Sequence, residues 1–224
     1  TVPDNSTVTV GDTEITLPSG GSIDTDGNVS SEKVTIGETT VTAPEGEKVT
    51  TDKDATVTVP AGGTVQTGDN VEITLPDGGT ADKDGNATGD SVKVGDTTIT
   101  APENEKLTID KDGKTDITTG TTVENNDVKI TVDEGSGTVD KDGTITFPDG
   151  GKVTVEKDGQ TTTVDVKKGG TVNTGSFSAP SPTPAVKKSS GGGTVSYKVS
   201  FDAGERGKIT SGSATVSVKS GSKV

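Results

Sequence analysis

The sequence predicts an all-β protein built as a solenoid-like stack of short strands. Three observations carry this. Residues 14–65 (EITLPSGGSIDTDGNVSSEKVTIGETTVTAPEGEKVTTDKDATVTVPAGGTV) and residues 72–123 (EITLPDGGTADKDGNATGDSVKVGDTTITAPENEKLTIDKDGKTDITTGTTV) align without a gap, 58 residues apart. Self-similarity at a fixed period of this length marks a repeat architecture. The apolar residues are mostly Val and Ile, and they alternate with Thr, Ser, Lys and Asp over short runs, the pattern of half-buried strands. Turn signals built on Pro-Gly and Asp-Gly interrupt these runs roughly every six to ten residues.

The elements follow in order. Val8 and Val10 alternate before a Gly11-Asp12 turn. Ile15 and Leu17 point inward, with Glu14 and Thr16 outward, and Pro18-Ser19-Gly20-Gly21 turns the chain. Ile23 opens a short extended piece that ends at Asp24-Thr25-Asp26-Gly27. Val34 and Ile36 are the next inward pair. Val41 and Ala43 precede Pro44, Val49 follows, and Val57 and Val59 precede Pro60. Pro18, Pro44, Pro60 and Pro76 are spaced 26, 16 and 16, which closes the 58-residue period. A third, degraded copy is read at residues 145–151 (ITFPDGG), continuing through Val153, Val155 and Asp158-Gly159. Val128, Ile130 and Val132 form one further run before it, and Val164, Val166 and Val172 close the region.

Strands this short lack the length and the buried aromatics of a broad sandwich. Pro at a strand end stops the ladder, and Gly-Gly permits positive φ at tight corners. A stack of coils of about 16 to 26 residues, with ladders between coils about 4.8 Å apart, fits these facts. The alternative is a tandem of small β-sandwich or β-grasp modules, one per repeat.

The chain has 224 residues, a net charge of −14, 25% hydrophobic and 2% aromatic residues, and no Cys, Met, His or Trp. Low hydrophobicity with high charge is also the signature of disorder, and the sustained β-branched alternation argues against it. With no Cys there is no disulfide framework. An acidic chain with no basic patch is not expected to bind nucleic acid or anionic membrane surfaces. No apolar run is long enough to span a bilayer, so no membrane insertion is expected. The absence of an initiating Met or a leader suggests a fragment of something larger.

Residues 176–193 (SFSAPSPTPAVKKSSGGG) change character. Pro180, Pro182 and Pro184 stiffen an extended spacer and the Ser/Gly end loosens it. The expected organisation is therefore a repetitive domain over 1–175, a linker over 176–193 and a short β segment over 194–224. In that segment Tyr197, Val199 and Phe201 alternate ahead of Asp202-Ala203-Gly204, and Val216 and Val218 precede Gly221. This row resembles the start of the β-grasp surface repeats of the internalin B-repeat, or Listeria–Bacteroides, type. The resemblance covers residues 197–224 only. It implies a modular, secreted or wall-attached bacterial protein, and it brings no catalytic residues with it.

Asp-x-Asp-Gly clusters at Asp24/Asp26, Asp82/Asp84, Asp110/Asp112 and Asp140/Asp142 are the sharpest candidate chemistry, because paired carboxylates beside a Gly turn can hold Ca²⁺. An EF-hand loop would need a bidentate Glu downstream, yet counting Asp24 or Asp82 as the third position puts Lys33 or Ser91 at the twelfth. A plain Asp-Gly turn explains them better. No metal ligand, cofactor or catalytic residue is therefore assigned. Without His or Cys, catalysis would fall to carboxylates, Lys, Ser or Thr, and carboxylates that recur with the repeat make a poor unique active site. Thr-x-Thr runs such as Thr40–Thr42, Thr56–Thr58 and Thr98–Thr100 suggest a flat hydroxyl array of the ice-binding kind. Along the sequence they are interrupted by Lys, Glu and Asp, and strand preference alone accounts for Thr.

The expectation is a non-enzymatic, extracellular bacterial surface fragment, an adhesin or a stalk. The competing expectation is a dedicated module for a host glycan or host protein, with the cell wall as a further partner. Residues 119–142, where the Pro pattern lapses, are the candidate for an atypical binding rung, with repeat decay as the plainer account.

Overall fold

The structure, a computed structural model, describes residues 1–68 and 71–175, together with the backbone of residues 196–200 and 215–219. The chain separates into two compact units, Thr1–Ala179 and Pro180–Val224.

The first unit contains, in chain order, β1 (Ser6–Val10), β2 (Thr13–Leu17), β3 (Ser22–Ile23), β4 (Val29–Ser31), β5 (Lys33–Ile36), β6 (Thr39–Thr42), β7 (Val49–Thr51) and β8 (Val57–Val59). There follow β9 (Gly63–Gln66), β10 (Glu72–Leu75), β11 (Gly79–Ala81), β12 (Ala87–Gly89), β13 (Ser91–Val94), β14 (Thr97–Thr100), β15 (Leu107–Ile109) and β16 (Thr115–Ile117). The last seven are β17 (Thr122–Asn125), β18 (Val128–Glu134), β19 (Gly137–Val139), β20 (Thr144–Phe147), β21 (Gly151–Lys157), β22 (Gln160–Val166) and β23 (Gly170–Asn173). They form two sheets, of twelve strands (β1-β2-β5-β6-β9-β10-β13-β14-β17-β18-β21-β22) and eleven (β23-β20-β19-β16-β15-β12-β11-β8-β7-β4-β3).

The protein is all-β, a solenoid-like stack, and its winding has a particular form. The chain lays two antiparallel strands in one sheet, crosses, lays two in the other, and crosses back. Ladder pairs are antiparallel throughout the stack, so each rung is paired to a neighbour running the opposite way. The 58-residue repeat is an eight-strand block: β2–β9 recur as β10–β17, four rungs in each sheet. At about 4.8 Å per rung, one block adds about 19 Å. A full circuit runs from one Pro-marked crossing to the next in the same direction, Pro18 to Pro44 and then Pro44 to Pro76. The expected coils were shorter because Pro60 sits at a return crossing, halfway round.

The third copy lies elsewhere than the ITFPDGG likeness suggests. Both earlier ITLP strands, β2 and β10, belong to the twelve-stranded sheet, but β20, which carries Ile145-Thr146-Phe147, belongs to the eleven-stranded one. The third block starts at β18, so that Gly21, Gly79 and Gly137 fall in equivalent places. The shared motif marks the corner chemistry, strand–Pro–Gly–Gly, which serves crossings in both directions.

Those three glycines show why the corners need Gly. Gly79 and Gly137 open β11 and β19 and Gly21 immediately precedes β3, each against the backbone carbonyl of Thr88, Thr146 or Ser30 respectively. A Cβ on Gly21 would stand 2.5 Å from the Ser30 carbonyl oxygen, and the other two sites are tighter still. A side chain there would push the second strand off the first.

The core is one residue deep on each side. Most three-residue strands of the eleven-stranded sheet bury their first and last residues and turn the middle one outward, as in Val57–Val59 and Leu107–Ile109. Ile15, Leu17, Val34, Val41, Ile73, Leu75 and Phe147 are all fully enclosed, which agrees with the alternation read from sequence. Ile23, in the short extended piece β3, is the one large apolar side chain exposed among the described residues, at the edge of its sheet.

Two core positions exchange an aliphatic side chain for threonine, in opposite senses, between repeats. Thr51 faces Val57 across β7 and β8, and Ile109 faces Thr115 across β15 and β16. Thr115 Oγ1 donates to the Thr108 carbonyl at 2.7 Å. Thr51 Oγ1 is buried without a partner.

In the second unit β24 (Ser196–Ser200) and β25 (Thr215–Lys219) pair antiparallel, with Tyr197 opposite Val218. The 176–193 linker and the 202–204 and 221 turns of the surface-repeat resemblance lie outside the described residues.

Two outcomes are expected. Removing residues 14–71 should leave a cooperatively folded chain about 19 Å shorter by small-angle scattering, because one whole block departs and β1 meets β10 in the register it has with β2. Thr51→Val should raise stability by about 1–2 kcal/mol in urea melts, since a buried unpaired hydroxyl is removed, whereas Thr115→Val should lower it by about 0.5–1.5 kcal/mol.

Candidate functional site

The Asp-x-Asp-Gly segments close the hairpins of the eleven-stranded sheet. In each, the first Asp takes two backbone N–H groups on Oδ1. Asp26 and Asn28 donate to Asp24 at 2.9 Å each, and Asp84 and Asn86 donate to Asp82 likewise. Asp110 receives Asp112 and Lys114, and Asp140 receives Asp142 and Thr144. A fifth turn, Asp52-Lys53-Asp54-Ala55, has the same bonds from Asp54 and Thr56. Sequence reading passed over it because Ala55 stands where the others have Gly, yet Ala55 takes the same left-handed backbone at φ 60°. The spacing would have found it, since the first aspartates at 24, 52, 82, 110 and 140 alternate by 28 and 30 residues.

These carboxylates do structural work that the sequence-level suspicion of Ca²⁺ did not include. Oδ1 is already committed to the turn, and Asn28 and Asn86 donate through Nδ2 to Oδ2 of Asp24 and Asp82 at 2.8 Å. The Asn28 side-chain bond, with the backbone bond from the same residue, holds the Asp24 carboxyl below its ordinary value of 3.8. At the neighbouring turn tip, the hydrogen bond and charge of Asp54 hold the Lys53 ammonium above its ordinary value of 10.5. Among the described residues no cluster of three or more acidic groups stands close enough to hold a metal.

Residues 119–142 contain β17, β18 and β19 and the start of the turn that follows. The crossing after β18 lacks Pro and carries a bulge between Val132 and Glu134. Lys129 pairs with Glu124 at 3.0 Å beside a depression of 380 Å³ on the surface, lined also by Asn126, Asp127, Glu156 and Lys157. The segment brings no unusual chemistry together. Its strands keep the register of the rungs before it.

The feature that reading along the chain missed runs across it. Each three-residue strand of the eleven-stranded sheet turns its middle residue outward, and β3, β20 and β23 add Ser22, Thr146 and Thr171 to the same line. In sheet order these are Ser22, Ser30, Thr50, Thr58, Thr80, Thr88, Thr108, Asp116, Thr138, Thr146 and Thr171, each opposite the next except that Thr108 and Asp116 flank the Ile109–Thr115 pair. Ten of the eleven carry a hydroxyl, in single file, about 4.8 Å apart. Thr88 and Thr108 share a hydrogen bond of 2.9 Å between their hydroxyls. Apart from Asp116, the Lys, Glu and Asp residues that interrupt Thr along the sequence belong to turns or to the other sheet. The twelve-stranded sheet mixes Thr with Glu14, Lys33, Lys93, Glu124, Lys129 and Glu156 on its outer face, several in facing pairs.

No family model, curated protein or solved structure matches this chain.

The Asp24 carboxyl should titrate below 3.8, and Asn28→Ala should move its midpoint back up toward that value, as read by NMR. Its folded pKa is depressed, so the stability it lends is fully present above the unfolded value and is lost as pH falls through the folded one. A chelator should leave the melting temperature unchanged, because the turn oxygens already have amide partners.

Proposed function

We propose that this chain is a rigid, non-enzymatic shaft in an extracellular bacterial surface protein, an adhesin or stalk that holds other modules away from the cell. One observation carries the reading: the repeat is a whole eight-strand block that begins and ends in the same phase of both sheets. Blocks of that kind add length without disturbing their neighbours, since each contacts only the rungs on either side. The composition agrees with an exposed setting. The surface is acidic and polar, there is no thiol to oxidise, and Asp carboxylates tie the turns.

The resemblance of residues 197–224 to wall-associated β-grasp repeats supports the same setting, with the Pro/Ser/Gly stretch as the joint between modules. A binding module in the strict sense would concentrate its chemistry in one unlike rung, and the differences between the repeats are spread over core, turn and outward positions.

The test is reach. Chains anchored to a surface at one end and tagged at the other, with zero, two or four extra copies of residues 14–71, are compared by interference height microscopy. The tag should rise by about 19 Å for each added block. A height that ignores the number of blocks would contradict the shaft reading.

A further inference from the structure

We propose that the hydroxyl file of the eleven-stranded sheet is a recognition track for an extended, uncharged polysaccharide chain lying along the stack. The molecule contains its own control. Both sheets need β-favouring polar residues on their outer faces, and Thr meets that need in both. If strand preference were the whole cause, charge would enter both faces alike. It enters the twelve-stranded sheet freely, as facing pairs such as Glu124 with Lys129 and Lys129 with Glu156, and enters the file once, at Asp116.

A chain of net charge −14 has no shortage of charged residues to place there. Charge on an open face favours solubility, so its exclusion calls for an opposing cause. A partner that covers the face supplies one, because desolvating an unpaired charge costs far more than desolvating a hydroxyl that finds a new hydrogen bond.

The dimensions choose the kind of partner. The strip is one residue wide and uncharged over seven rungs from Ser22 to Thr108, is interrupted at Asp116, and resumes for three rungs to Thr171, where Thr144 and Asn173 widen it. At one end of its strands stand the turn aspartates, Asp52, Asp82, Asp110 and Asp140. At the other stand Lys48 and the Asp90–Lys106 pair, joined at 2.8 Å. A narrow straight strip suits a linear polymer better than a two-dimensional lattice such as ice, or the broad patch of a globular protein. The chemistry agrees. A Thr hydroxyl both donates and accepts, so a file of them meets a row of sugar hydroxyls without requiring either set to be only donors. The Thr methyl offers an apolar contact to ring C–H faces. The rung spacing of about 4.8 Å is comparable to the length of one pyranose unit in an extended chain. This inference rests on the stack and not on the shaft reading: reach can fail while retention holds, and the reverse.

The experiment is affinity electrophoresis of the full chain through gels holding hydroxyethylcellulose, xyloglucan or galactomannan, with alginate as the anionic comparison. At least one neutral glycan should retard the chain, and alginate should not. Thr50→Lys with Thr108→Lys should weaken that retardation at least tenfold, the equivalent of about 1.4 kcal/mol. Thr98→Lys with Thr131→Lys, on the outer face of the other sheet, should leave it unchanged. Thr50→Val with Thr108→Val keeps strand preference while removing the hydroxyls, and it should weaken binding even if the lysine pair disturbs folding. Absence of retardation by every neutral glycan, or equal losses from both lysine pairs, overturns the proposal. So does inhibition of ice growth that the file variants abolish while no glycan is retained, which would assign the track to ice.

Discussion

Two continuous ladders of backbone hydrogen bonds hold this molecule together, and the rest of its design follows from keeping them unbroken. The apolar content is too low for a thick core. A strand of the eleven-stranded sheet contributes two buried side chains, often Val, Ile or Ala. Each ladder bond adds only about 1 kcal/mol net, but it is repeated at every rung and leaves no inner backbone group unpaired. The price is strict geometry at the crossings. Where two rungs close over a corner, as at Gly21, Gly79 and Gly137, no Cβ fits. Where a hairpin closes in the eleven-stranded sheet, an Asp carboxylate takes the two N–H groups that the ladder cannot.

That division of labour explains which substitutions the repeats tolerate. Core positions trade volume and polarity in facing pairs, as Thr51 and Val57 do against Ile109 and Thr115. Turn positions keep the Asp even where the Gly is lost, since Ala55 accepts the left-handed backbone while Asp52 keeps both its amide bonds. The outward positions separate by sheet. One face carries interleaved charges and the other a file of hydroxyls. The geometry of the stack makes such a file possible, because an in-register ladder converts one residue choice per strand into a continuous line.

Much of the fold was legible along the chain. The 58-residue offset, the inward Ile15–Leu17 and Val57–Val59 pairs, and the Pro corners are all local or strictly periodic signals. Two things were hidden. Which sheet a strand enters depends on the count of crossings before it, so ITFPDGG looked like a third start although β20 lies in the opposite sheet. The hydroxyl file was hidden for a related reason. Neighbouring members are 8 to 25 residues apart in sequence, and only the register places Thr58 beside Thr80 and Thr108 beside Thr88. Reading Thr-x-Thr along single strands mixes turn and strand residues and breaks the pattern.

The central claim, that identical blocks add length in a straight line, is tested most directly by spin-label distances among Ser30, Thr88 and Thr146. These are equivalent residues one repeat apart, each facing outward on β4, β12 and β20. Four rungs separate each neighbouring pair, so the account gives about 19 Å for Ser30 to Thr88, about 19 Å for Thr88 to Thr146, and about 38 Å for Ser30 to Thr146. Equal and additive distances support the stack. A Ser30–Thr146 distance well short of the sum, or two unequal single-repeat distances, would mean that the repeats fold as separate modules joined at angles, and would contradict it.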